Sequence, residues 1–409
     1  MKADTLINHV HLATMTEGQE SPYGAIQEGA IAITDGKISW LGDMAEMPDI
    51  ACDHVINGDG QWLTPGLIDC HTHLIYGGCR AQEFEARLSG VSYETIARQG
   101  GGINSTVKAT RESSAEQLFS TANRRLQRLM AEGVTTVEIK SGYGLDTANE
   151  LKMLAVMQQL DSSHSITIKK TLLVAHALPP EYINDSDGYI ALICDEIIPK
   201  TVKMNLADSV DVFCEGIGFT TAQCRKVFET AKQHKLEIKG HVEQLSYLSG
   251  ATLVAEFDGL SVDHIEYLPE QDIKQLADKN VTAVILPAAY YFLNETQKPP
   301  IQALRNAGVA MAVATDHNPG SSPTLSLLAT MNQACVLFGL TPEESLAGVT
   351  RHAAKALGLQ DNKGQLAVGY DADLLLWDID HLAELSYGIN LNRPQSIWVN
   401  GKQQGNHDV

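Results

Sequence analysis

The sequence predicts an α/β protein: a (β/α)8 TIM barrel with a small β-sandwich domain built from both chain termini. Three observations predict it. Eight strand-like apolar runs alternate with helical-period stretches through the middle of the 409 residues, both ends are β-rich, and imidazole and carboxylate groups gather where strand runs end. The expected division is an N-terminal β-sandwich segment over 1–62, the barrel over 63–360 and a C-terminal β-sandwich segment over 361–409.

The N-terminal piece reads as short strands and turns. Residues 5–14 and 29–41 are rich in strand formers, and Asp35-Gly36 is a strong hairpin signal. Further on, strand-like runs cover 63–74, 135–140, 168–176, 209–214, 237–242, 259–266, 281–287 and 309–315. Helical periodicity occupies 115–132, 147–160, 220–234 and 270–279. Such an alternation favours a closed barrel over an open sheet, and closed barrels keep their chemistry at the C-terminal strand ends. The last stretch repeats the opening texture, with an apolar run at 372–377 and a hairpin-like segment at 396–403.

Composition narrows the function. Hydrophobic residues at 44% and charged residues at 20% suit a globular chain with a core of ordinary size. A formal charge of −20 repels nucleic acid and anionic membranes, so neither is an expected partner. An anionic substrate would need locally placed cations. The seven cysteines are scattered with no Cys-x-x-Cys pair, which argues against both a disulfide framework and a thiolate zinc site. Reduced thiols, no secretory signal and no bilayer-length apolar run point to a cytoplasmic protein.

His71 and His73 stand two apart at the end of Leu67-Ile68-Asp69-Cys70-His71-Thr72-His73. A strand's period of two turns both rings to one side. An isolated His-x-His is more often a pair of core or solvent histidines; His9 and His11 share the spacing and take no role. Company at other strand ends changes the balance. His241 ends the fifth run, His264 the sixth and Asp316 the eighth. Five such groups at four strand ends are hard to explain by packing. His71, His73 and His241 can supply neutral nitrogen, and Asp316 anionic oxygen, to a metal that lowers the pKa of a bound water to about 7. Asp316 can also take the water's proton, and His264 can polarise a carbonyl or hold its oxyanion.

These residues resemble the amidohydrolase superfamily. Leu63-Thr64-Pro65-Gly66-Leu67-Ile68-Asp69-Cys70-His71-Thr72-His73 matches its opening signature, and Gly369-Tyr370-Asp371-Ala372-Asp373-Leu374 its closing element. Binuclear members carry a carbamylated lysine at the fourth strand end. Here that place reads Phe213-Cys214-Glu215, so the resemblance implies a single ion. Lys140, which ends the second run, is read as structural rather than bridging.

Within the superfamily the chain is most similar to the imidazolonepropionases, over nearly its whole length. The motifs are Gly77-Gly78-Cys79-Arg80 with Glu83-Phe84, Glu138-Ile139-Lys140-Ser141-Gly142-Tyr143-Gly144-Leu145, Ala175-His176-Ala177, Val262-Asp263-His264, and Thr315-Asp316-His317-Asn318-Pro319-Gly320-Ser321. The resemblance implies hydrolysis of 4-imidazolone-5-propanoate to N-formimidoyl-L-glutamate. It implies one divalent or trivalent ion, zinc or iron, and a homodimer. Arg80 offers a fork for the propanoate carboxylate. Tyr143, His176 and Gln244 can reach ring polar atoms, and Asn318, Gly320 and Ser321 follow Asp316 where the family binds substrate. On spacing alone Arg80 is a surface ion pair, and Asn-Pro-Gly is a turn. Superfamily deaminases, and some imidazolonepropionases, carry glutamate where Gln244 stands; glutamine does not titrate, which counts against a nucleobase deaminase and moves proton transfer to Asp316 and His264. Gly100-Gly101-Gly102 lacks a preceding strand and a following Gly-Lys-Ser/Thr, so it reads as a mobile loop rather than a phosphate loop. The alternatives are another cyclic-amide hydrolase or deaminase of this superfamily, or a non-catalytic barrel scaffold, which should have lost the ligands.

Overall fold

The computed structural model describes residues 1–19, 21–91 and 101–405. Strand β1 (Lys2–Ala13) pairs antiparallel with β2 (Ala25–Thr34), which turns into β3 (Lys37–Asp43). The turn is the Asp35-Gly36 pair, with φ of 51° and 75°. Both values are positive, as a two-residue turn matching the twist of its strands requires. On its other side β1 runs parallel to β4 (Ala51–Asn57) and β5 (Trp62–Pro65).

The barrel strands are β6 (Leu67–Asp69), β7 (Val134–Lys140), β8 (Thr167–Ala175), β9 (Ser209–Cys214), β10 (Glu237–Val242), β11 (Ser261–His264), β12 (Thr282–Ile285) and β13 (Met311–Val313). They lie side by side in chain order, and every pairing is parallel. The two edges meet just past their strands, where Thr72 and His317 form a parallel bridge. There the Asp316 N–H donates to the His71 carbonyl at 3.0 Å and the His73 N–H to the His317 carbonyl at 2.8 Å. Closure therefore brings the first and eighth strand ends together.

One run divides. Residues 63–74 read as a single strand, yet β5 belongs to the terminal sheet and β6 to the barrel. Gly66 makes the crossing: a Cβ there would lie 2.1 Å from the Thr135 hydroxyl, so only glycine lets the chain pass that close. Of the triple glycine, Gly100 lies outside the described residues, while Gly102 caps the helix Ile103–Glu112.

In β7, β9, β10 and β11 apolar residues take one face and mostly polar ones the other. Val137, Ile139, Val210, Val212, Ile238 and Val262 join the hydrophobic core. Their neighbours Glu138, Lys140, Asp211, Lys239 and Asp263 are equally buried but bond to one another instead. In these four strands period two thus separates an oily outside from a charged inside.

The chain ends in β14 (Leu374–Trp377), antiparallel to β5, followed by β15 (Ser396–Val399) and β16 (Lys402–Gln403). One mixed eight-stranded sheet results, drawn from both termini. Lys363 fastens it, with Nζ 2.6 Å from Asp373 and 3.1 Å from Asp371, which also pairs with Lys37. No helix among the described residues is long and apolar enough to cross a membrane.

His352 makes the fold acid-sensitive at a point away from the strand ends that carry the histidines. Its Nδ1–H donates to the Met311 carbonyl at 3.1 Å. Burial, with the Arg351 cation beside it, pulls its pKa down to about 4. The unfolded chain, with histidine near 6.5, therefore binds this proton first, and stability is lost as pH falls from about 6.5 to about 4. The loss from this group is about 3 kcal/mol. Urea unfolding at neutral and acid pH should show it, and His352→Gln should flatten the slope; an unchanged slope would assign the loss elsewhere.

Candidate metal centre and substrate cavity

Barrel closure assembles the predicted ligands. His71, His73, His241, His264 and Asp316 are all buried. The rings of His71 and His241 lie 4.5 Å apart, and those of His241 and His264 5.4 Å apart. Asp316 Oδ1 stands 3.3 Å from His71 Nε2 and 3.6 Å from His73 Nε2. Donor atoms of His71, His73 and Asp316 fall within 4.8 Å of one another, as do those of His71, His241 and His264.

Two aspartates aim the rings. Asp263 Oδ2 accepts His71 Nδ1–H at 2.6 Å, and Asp211 Oδ1 accepts His241 Nδ1–H at 3.1 Å. That places the lone pairs on Nε2 of both rings. These Nε2 atoms are buried and have no hydrogen-bond partner. An unpartnered buried polar atom costs about 1–3 kcal/mol, and several in one spot describe a site completed by a cation. Burial, with Lys140 nearby, holds His71 well below its usual pKa, and burial with neighbouring histidines does the same for His73 and His264. All three are neutral at pH 7, as ligation by His71 and His73 requires. Burial pushes the Asp316 carboxyl up to about 7. His264 and Asp316 both sit at positive φ, 80° and 51°, a strained conformation for residues with side chains.

Beneath the rings lies a layer of charge. Lys140 Nζ is 2.7 Å from Asp211 Oδ2, 2.9 Å from Glu138 Oε2 and 3.6 Å from Asp263 Oδ2. Lys239 Nζ is 2.9 Å from the same Glu138 oxygen and donates to the Cys70 carbonyl at 3.1 Å. Asp211 and Asp263 thus face a histidine on one side and a lysine on the other. Lys140, surrounded by carboxylates, is held above its ordinary pKa. A protonated ammonium has no lone pair for carbamylation, consistent with a structural role. Asp263→Asn should weaken metal binding by about 10–100-fold, because the amide accepts the His71 proton less strongly. Competition against a chromogenic chelator would measure it; an unchanged affinity would remove Asp263 from the centre.

The centre opens into a cavity of about 500 Å³. All seven residues expected to touch substrate line it. Arg80 stands there with Gly320, Ser321 and Asn318. Tyr143 and His176 pack against His73, with ring centroids at 5.9 and 5.4 Å. His176 Nδ1–H donates to the Gly142 carbonyl at 2.9 Å, leaving Nε2 as its acceptor. The Asn318 side chain is spent on its own turn: its oxygen accepts the N–H groups of Gly320 and Ser321 at 2.8 and 2.7 Å. Gln244 lines the cavity, whereas Glu243 does not. The Glu243 carboxylate accepts N–H groups from Gly250 and Ala251, at 2.7 and 2.8 Å, at the start of the helix Gly250–Glu256. It is no substitute shuttle.

Spacing did not reveal Asp211 or Lys239, and Glu138 and Asp263 were legible only within motifs. The usable signal was charge recurring at every second place inside runs otherwise buried on both sides.

Fold and site define the class: this chain is a hydrolase of the amidohydrolase superfamily. A sequence profile of the amidohydrolase family matches residues 215–404. The fold is shared with 5-methylcytosine deaminase from Klebsiella pneumoniae, with a TM-score of 0.76 over 99% of this chain and 98% of that one at 17% identity. The imidazolonepropionase of Colwellia psychrerythraea is 56% identical, across 98% of this chain and 96% of its own. That of Shewanella baltica is 53% identical across 100% of both. The chain belongs to the imidazolonepropionase family.

Proposed function

We propose that the chain hydrolyses the ring amide of 4-imidazolone-5-propanoate to give N-formimidoyl-L-glutamate, using His71, His73, His241 and Asp316 to hold one zinc or iron(II) ion. The observation that carries the reading is the meeting of neutral imidazoles and one carboxylate, with buried unpartnered Nε2 atoms, at the floor of a cavity that also holds Arg80. That donor set suits either metal. When bound, such an ion supplies Lewis acidity to water and to the substrate carbonyl.

The protein's own groups do the rest. Arg80 binds the propanoate carboxylate. The Tyr143 hydroxyl, His176 Nε2 and the Gln244 amide hold polar atoms of the ring, while the turn carrying Asn318, Gly320 and Ser321 closes the cavity wall. Asp316 accepts the proton as water adds to the carbonyl carbon. His264, neutral, donates an N–H to the oxygen that gains charge. The C–N bond then breaks, and Asp316 returns the proton to the departing nitrogen.

Purified protein supplied with zinc or iron(II) should remove the ultraviolet absorbance of imidazolonepropanoate, lose that activity to a strong chelator and regain it with one of the two metals. No turnover with either metal would refute the substrate.

A further inference from the structure

Arg80 is gripped from two sides. Its Nε and Nη2 both meet Glu83 Oε2, at 2.9 and 2.8 Å. The other Glu83 oxygen accepts the Gly102 N–H at 3.1 Å and the Ser105 hydroxyl at 2.9 Å. Those donors open the helix Ile103–Glu112, so Glu83 is fixed by a second element before it touches the arginine. An ordinary ion pair three residues apart has no such anchor. On the far side stands Gly320, where a Cβ would lie 2.1 Å from Arg80 Nη1.

A guanidinium has two forked edges. Glu83 occupies the one formed by Nε and Nη2, leaving the outward edge of Nη1 and Nη2. Arg80 lines the large cavity, and it also lines a hollow of about 40 Å³ shared with Glu83 and Gly320. Charge alone argues against Glu83 here, since a fixed anion repels an anionic substrate. Its presence makes sense if orientation matters more than net charge.

We infer that Glu83 is a positioning residue that aims the outward edge of Arg80 at the substrate's tail carboxylate, and that Gly320 sets the clearance for that two-point grip. This rests on the reading that Arg80 binds the propanoate. A carboxylate on a chain of the right length is then selected over an equally charged group arriving from another direction.

The test is steady-state kinetics on imidazolonepropanoate and on an alkyl imidazolone lacking the carboxylate. Arg80→Met should raise KM by about 100-fold, and Glu83→Ala and Gly320→Ala by about tenfold each, with the effect on KM rather than kcat. Glu83→Gln, which keeps the shape, should fall between Glu83→Ala and the parent. It also serves should Glu83→Ala fail to fold. Adding Glu83→Ala to Arg80→Met should cost nothing more, because the two act as one unit. With the tail-less compound the gap between parent and Glu83→Ala should shrink below about threefold. If KM falls or stays level in both Glu83 variants while Arg80→Met raises it, the positioning inference is overturned and the Arg80 reading survives. If Arg80→Met leaves KM unmoved, the carboxylate grip itself is wrong.

Discussion

Asp316→Ala should lower kcat/KM by at least about 10³-fold and bring metal content well below one ion per chain. The side chain has two tasks and no understudy. Its Oδ1 faces His71 and His73 at 3.3 and 3.6 Å, and the nearby carboxylates Asp211 and Asp263 are occupied with histidine N–H groups and Lys140. Asp316→Asn separates the tasks. The amide can still offer a neutral oxygen but cannot accept a proton, so activity should vanish while some metal is kept. Stability should move the other way in metal-free protein. Burial lifts the folded carboxyl to about 7, above its unfolded value of 3.8. The folded state then holds the proton longer, so stability declines as pH rises from about 4 to about 7. At pH 8 the ion-free Asp316→Asn variant should therefore melt above the ion-free parent, and added metal should stabilise the parent more. Undiminished turnover in Asp316→Ala would end the assignment.

Much of the fold was legible because its grammar is local. All eight barrel runs became strands, and Asp35-Gly36 made its hairpin, since apolar periodicity and turn chemistry act over a few residues. The expected ligand set could be read for a related reason. A barrel stacks its strand ends in a ring, so titratable groups at run ends must converge if the runs close. What stayed hidden was pairing across distance. His71 meets Asp263 from 192 positions away, and Glu138 meets Lys239 from 101. Nothing in the spacing of either residue names its partner. Inward-facing charge inside a strand also imitates a half-exposed strand, because alternation looks the same whether the polar face meets water or the barrel axis.

The expected substrate contacts were read only through resemblance. Spacing offered Arg80 as a surface pair and Asn318-Pro319-Gly320 as a turn. Both descriptions hold in the structure: Arg80 does pair with Glu83, and the Asn318 side chain does build a turn. Neither excludes a role in binding, because the same contacts fix where each group points.

Lys140→Met should be the most destabilising single change in the barrel interior, at about 3–5 kcal/mol. The substitution nearly conserves volume, so no cavity term dominates. The cost comes from Glu138 and Asp211, which lose a cation at 2.9 and 2.7 Å while fully buried. Glu138 keeps Lys239 and the Thr171 hydroxyl; Asp211 keeps only the His241 ring and two backbone N–H groups. Asp211 is thus the residue left most exposed to the loss. Two consequences should follow together. Urea unfolding should shift to lower concentration, and metal affinity should drop because Asp211 no longer holds His241 in one orientation. Glu138→Gln added to Lys140→Met restores the charge balance and should recover some of the stability, but little of the affinity, since it leaves Asp211 without its lysine. A variant that lost stability alone, with affinity intact, would make the lysine layer a packing solution unrelated to the metal. Recovery of both properties in the double variant would show that only the net charge of the layer matters, whichever carboxylate Lys140 faces.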